Sequence, residues 1–209
     1  MKALGVAVLV SLAVACLLWA HVGAGITVDR EGRVFFIDNS RDRLWRMEPD
    51  GELTAVARDV HGDGLTILPN GTLVYPRDEP ASVFSVLGPD SATYRAAGHR
   101  ILRAAAGRSA SVIAGDSRPG FVDGPGPAAR FNRPLRLSLD SAGNVYVADY
   151  GNHRVRKIAP DGDVSTVALI SWPWWPTGVA VWRDRIYVLE RWGDYYRMPP
   201  VGAYLSNLI

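Results

Sequence analysis

From residue 25 onward the chain reads as short apolar runs of period two, broken by turns rich in Gly, Asp and Asn, a pattern that predicts β-strands joined as hairpins. Four such hairpins stand out. Ile26-Thr27-Val28-Asp29 turns through Gly32 into Val34-Phe35-Phe36-Ile37-Asp38, and Gly64 to Leu68 turns through Asn70-Gly71 into Leu73-Val74-Tyr75. Leu135 to Asp140 turns through Gly143-Asn144 into Val145-Tyr146-Val147-Ala148-Asp149, and Gly178 to Val181 turns through Asp184 into Ile186 to Glu190. A second hairpin follows each of these, most clearly at His153 to Val167, with its counterpart at Asp42 to Thr54. Those two share a Pro-Asp-Gly turn, Pro49-Asp50-Gly51 and Pro160-Asp161-Gly162.

Two consecutive hairpins make one four-stranded antiparallel sheet, the blade of a β-propeller, and the spacing supports that reading. Turn positions Gly32 and Gly71 lie 39 residues apart and Gly143 and Asp184 lie 41 apart, against about 40 for one blade. Gly71 to Gly143 spans 72 residues and breaks the period. Inside that interval, Ala81 to Tyr94 and His99 to Ala114 each resemble a second hairpin with no first hairpin between them, so the weakest order is expected there. The predicted fold is all-β: a propeller of four-stranded antiparallel blades, about four recognisable and one truncated, in a ring whose closure is open. The expected limits are 25–60, 61–97, an irregular 98–168 and 169–209. An unclosed array exposes strand edges, which predicts an edge-to-edge homodimer as one outcome.

Residues 1–24 have a different composition. Lys2 precedes the nearly continuous apolar run Ala3 to Ala20, and Val22-Gly23-Ala24 offers a small-residue cleavage site, the plan of an export signal. Two other readings stand beside it: a retained membrane anchor, and a lipobox-like Leu12 to Ala15 before Cys16, which would leave a lipidated cysteine. Export to the periplasm or the exterior is the expectation, with membrane association only if the segment is retained or acylated. Cys16 is the sole cysteine, so no intrachain disulfide can form and stability must come from core burial and sheet hydrogen bonds. Hydrophobic residues at 48% and charged residues at 21% exclude disorder, and a net charge of +2 gives no signal for nucleic acid.

The segment Gly120-Phe121-Val122-Asp123-Gly124-Pro125-Gly126-Pro127-Ala128-Ala129-Arg130-Phe131-Asn132-Arg133-Pro134, followed by Asp140 to Ile158, resembles an NHL repeat with its preceding loop. The resemblance extends in weaker form over roughly residues 25–200 and is strongest over 111–168. It implies a propeller, usually of six blades, of the kind found in secreted bacterial proteins and in interaction domains.

Candidate chemistry is sparse. Asp149, Asn152, His153 and Arg154 could line a polar pocket, but Asp38-Asn39-Ser40 and Asp42-Arg43 repeat them in the first blade, which favours turn architecture. His61, His99 and His153 could meet across blades as zinc ligands in the manner of amidating lyases, yet no pair has metal-ligand spacing. Calcium-dependent lactonase-like propellers are the other enzymatic resemblance, and Pro176-Thr177-Gly178 puts threonine where they carry an asparagine oxygen donor. No nucleophile elbow or phosphate loop occurs, so no cofactor, metal or catalytic residue is assigned. The most unusual segment is Ser171-Trp172-Pro173-Trp174-Trp175-Pro176. With Arg191, Trp192 and Tyr195 it makes the last blade strongly aromatic. Trp172, Trp174, Trp175, Arg191, Trp192 and Tyr195 are therefore the candidate ligand-binding residues, against the alternative that the rings fill space between blades. The expectation is an exported, non-enzymatic binding or scaffold module for a protein, peptide or glycan. A metal-dependent propeller hydrolase or lyase and a shortened inactive paralogue are the alternatives.

Overall fold

The computed structural model describes residues 25–60, 62, 64–67, 71–75 and 85–192, together with the backbone of 195–197. Its regular structure there is β-strand, apart from one 3-10 turn at Tyr150–Asn152. The first blade holds β1 (Ile26–Val28), β2 (Val34–Asp38), β3 (Arg43–Met47) and β4 (Leu53–Arg58) in that spatial order. A two-stranded hairpin follows, β5 (Thr66–Ile67) and β6 (Leu73–Val74). The next full blade is β7 (Ser85–Leu87), β8 (Thr93–Ala97), β9 (Arg100–Ala104) and β10 (Ser111–Ala114). A long loop then carries β11 (Gly124–Pro125) onto the outer edge of the fourth unit, which is β12 (Pro134–Leu139), β13 (Val145–Asp149), β14 (Arg154–Ile158) and β15 (Asp163–Leu169). The last unit is β16 (Trp175–Trp182), β17 (Arg185–Trp192) and β18 (Tyr195–Arg197).

The recurring sequence signs have a direct cause. Asp29 Oδ1 accepts the backbone N–H groups of Glu31 and Arg33, and Asp140 Oδ1 accepts those of Ala142 and Asn144, so each aspartate closes its own turn. Gly32 and Gly143 complete these turns at φ of +85° and +83°, a region that side chains disfavour. Both Pro-Asp-Gly turns work the same way, with Asp50 and Asp161 accepting the N–H of Glu52 and Asp163.

The interval that breaks the period is more regular than its sequence suggests. Strands β7 to β10 form one complete antiparallel sheet, with Ala97 paired to Arg100 across a two-residue turn. The two apparent second hairpins are thus the halves of a single blade. The limits 61–97 and 98–168 are corrected accordingly, because the former cuts between β8 and β9. Ala81 to Phe84 lie outside the described residues. The short unit is instead the β5–β6 hairpin, which has two strands where the other sheets have three to five among the described residues.

Apolar clusters set the order of the units. One joins the third and fourth blades through Tyr94, Ile101, Phe131, Leu137 and Val147, and another joins the fourth and fifth through Val155, Ala168, Val179 and Val188. A third packs the first blade on the last, with Ile26, Val34 and Phe36 against Ala180 and Leu189. The fourth seats the β5–β6 hairpin on the first blade, through Leu65, Ile67 and Leu73 beside Phe35, Ile37 and Leu44. The two ends of the described chain therefore meet by side-chain packing, and no cluster among the described residues joins the hairpin to the third blade. Trp182 marks the closing seam, since a Cβ placed on Gly32 would lie 2.6 Å from its ring.

Candidate ligand-binding site

The six residues picked out by the sequence fall at one end of the last blade. Trp175 opens β16 opposite Arg191 on β17, and Trp192 pairs in backbone register with Tyr195 on β18. The Trp174 and Trp192 rings meet edge to face at 6.1 Å. Trp175 does not project outward: its ring stacks on Tyr150 at 6.1 Å and lies 5.2 Å from the His153 imidazole. Trp172 does the opposite, at 80% exposure, while Trp192 is 47% exposed. Packing and display are thus divided within one loop. Trp175 fills the seam to the fourth blade, and Trp172 is held out from it.

The loop holding Trp172 is anchored. The Trp174 N–H donates to the Ser171 carbonyl, and the Trp174 carbonyl accepts a 2.7 Å bond from His153 Nδ1. A carbonyl can only accept, so this imidazole donates from Nδ1. His99 has the matching role in the preceding blade, where the Arg133 N–H donates to His99 Nδ1 at 3.2 Å. Each histidine precedes the arginine that opens a third strand, Arg100 or Arg154, and each grips the segment that feeds the next blade. The sequence places His99 and His153 at aligned positions without revealing this shared work, because the partner is backbone. Arg133 and Tyr150 carry no sequence signal of their own. The Arg133 guanidinium lies 5.3 Å over the Tyr150 ring, extending the stack of Trp175 into the fourth blade.

The polar cluster at Asp149 is architectural. Asp149 and Arg156 are both fully buried and paired at 3.2 Å, and Asp149 also accepts the Asn132 N–H and the Asn152 side-chain amide. Burial pushes the Asp149 carboxyl up from the ordinary aspartate range, against these three donors. Arg156 reaches outward to bond Asp123 and the carbonyls of Val122 and Arg130, so it pins the long loop to the blade. Asp123 in turn accepts the Thr166 N–H on the outer strand.

Among the described residues no group of three His, Cys, Asp or Glu side chains is placed to hold a metal ion. His61 lies outside the described residues. Thr177, at the position compared with a calcium donor, sits where the β16–β17 register shifts and donates its hydroxyl to the Leu189 carbonyl at 3.0 Å. Its oxygen is used within the sheet.

A family profile described as NHL repeat agrees with this architecture, matching residues 131–158, which run from Phe131 through β12 and β13 to the end of β14. No curated protein matches the chain. Among solved structures, an auxiliary nutrient binding protein from Bacteroides thetaiotaomicron is similar at 19% identity and a TM-score of 0.43, covering 79% of this chain and 44% of that one. An auxiliary nutrient binding protein from Bacteroides ovatus is similar at 19% identity and a TM-score of 0.41, covering 78% and 44%. Virginiamycin B lyase from Staphylococcus aureus is similar at 18% and 0.41, covering 80% and 63%. The chain spans less than half the length of the two Bacteroides proteins. The chain is thus a propeller-type array of antiparallel β-blades that carries an NHL repeat over residues 131–158.

Proposed function

We propose that the chain is a binding module whose ligand meets the aromatic end of the last blade. The observation that carries this reading is the anchored display of Trp172. An indole at 80% exposure gives up the apolar burial that Trp175 obtains three residues later, while its loop is fixed by Ser171, His153 and the Trp175 stack. A stiff aromatic held out from a rigid support loses little conformational entropy on binding, which is the property of an anchor residue. Trp192, half exposed two residues beyond the buried Glu190, meets Trp174 of the same loop edge to face. The test is binding of the full chain to peptide and glycan arrays, compared with Trp172→Ala. We expect the variant to lose most array binding with an unchanged thermal midpoint. Unchanged binding with a lowered midpoint would assign the ring to packing instead.

Export is part of this reading, supported by the charged, apolar and small-residue order of positions 1–24. No helix among the described residues is long and apolar enough to cross a membrane. Mass spectrometry of the N-terminus of the cell-associated and released chain tests it. A chain beginning after Ala24 is expected, an acylated Cys16 would place it on a membrane instead, and an intact Met1 would overturn export by cleavage.

A further inference from the structure

We propose that the displayed indoles take an acidic saccharide, with sugar rings stacked on Trp172 and Trp192 and carboxylates met by Arg133. This rests on the ligand-binding reading of that surface and deepens it to a chemical class.

Size excludes a protein partner as the first choice. A stable protein interface needs about 800 Å² from each side, whereas two indoles at 80% and 47% exposure offer on the order of 300 Å². Of the other exposed large apolar residues, Val56, Leu87 and Val112 lie on β4, β7 and β10, and Phe121, 44% exposed, is covered on one face by Arg154 at 3.7 Å. The apolar area at this end therefore suits one or two rings of pyranose size. Recognition of an extended peptide draws chiefly on an unpaired strand edge or a row of pockets, and a loop indole supplies neither. A sugar ring presents a face of C–H groups to an indole and turns its hydroxyls outward to water, so two rings held apart on a rigid loop and a strand end suit successive units of one chain.

Charge selects among saccharides. Asp149 beside Tyr150 and Glu190 on β17 are fully buried. Asp149 is already committed to Arg156 and two amide donors. Arg133 is exposed, its guanidinium lies over Tyr150, and it pairs with no carboxylate among the described residues. A planar fork of donors at the far end of the Tyr150–Trp175 stack suits a carboxylate. Arg133 is held there through its own N–H, bonded to His99.

The test is titration of the full chain with short oligogalacturonates and with neutral cello-oligosaccharides of equal length, followed by tryptophan fluorescence and calorimetry. We expect saturable binding of the uronate at least about tenfold tighter than of the neutral chain. Trp172→Ala should abolish both without moving the thermal midpoint. Arg133→Gln should weaken the uronate to the level of the neutral chain and leave the latter unchanged, with Arg133→Lys restoring part of the preference. Equal affinity for both probes would overturn the acidic class. Trp172-dependent binding of a peptide or a single-stranded oligonucleotide, with none of a saccharide, would overturn the inference and leave the binding surface standing. Absence of Trp172-dependent binding to any of these probes would overturn both.

Discussion

The first and fourth blades share one strand plan but fill the same register position in opposite ways. In the first blade Phe36 pairs with Trp45, and in the fourth Val147 pairs with Arg156. Trp45 packs against the apolar cluster of Ile26, Val34 and Phe36 at the seam to the last blade. Arg156 is fully buried, with its guanidinium over the Phe121 and Phe131 rings and its donors all used on Asp149 of its own blade and on Asp123 and two carbonyls of the loop before it. The blade is thus indifferent to whether that position is apolar or ionic, provided a partner surface matches it. What the fourth blade gains is attachment of a loop that returns to the sheet as β11 and covers the outer edge of β15.

Removing the ionic filler should produce the largest effect. Arg156→Met strands a buried carboxylate and releases the loop, and a loss of about 3–5 kcal/mol is expected in urea unfolding. Adding Asp149→Asn to that variant should recover part of the loss, because the unpaired charge disappears with it. Strict additivity of the two substitutions would break the pairing argument. A smaller effect should follow from Gly126→Ala. A Cβ there would overlap the Ile113 carbonyl oxygen on β10, so the loop must move off the third blade at a cost of about 2 kcal/mol. The apolar counterpart is milder still: Trp45→Phe keeps an aromatic filler and should cost about 1 kcal/mol, with no change in proteolytic sensitivity of the 115–133 loop. Limited proteolysis separates the two blades, since Arg156→Met should open that loop.

Aspartates and glycines of the turns are readable in the sequence because their bonds are local: Asp29, Asp140 and the Pro-Asp-Gly turns satisfy their own backbone within a few residues. Grouping of strands β7 to β10 is not readable from period alone, because the β5–β6 hairpin consumes a first-hairpin signal without adding a full blade. The aromatic end is visible in composition, but composition cannot tell Trp175 from Trp172. Only the position of Tyr150 and His153, both on the neighbouring blade, decides which indole is packed and which is displayed. Arg133 is hidden for the same reason, since its partners His99 and Tyr150 lie 34 residues before it and on the far side of a hairpin.

The smallest expected effect sharpens the comparison by sign rather than by size. Asp149 and Asp140 both belong to the fourth blade, yet their carboxyls are shifted in opposite directions. Burial pushes Asp149 up, and the donors around it do not cancel that push. For Asp140 burial also pushes up, but the Asn144 side chain and N–H, the Tyr146 hydroxyl and the Ala142 N–H outweigh it and hold the carboxyl low. A group whose folded pKa is raised binds its proton more tightly in the folded chain, so its stabilising contribution is complete below the ordinary carboxylate value and lost as pH rises through the raised one. A group whose folded pKa is depressed contributes above the ordinary value and loses that contribution as pH falls through the lowered one. In urea unfolding, the stability difference between the native chain and Asp149→Asn should therefore shrink as pH rises from about 4. The difference for Asp140→Asn should instead shrink as pH falls below about 4. Parallel pH profiles for the two substitutions would mean that the donors around Asp149 prevail over its burial. The buried pair with Arg156 would then hold the loop most firmly in the ionised state.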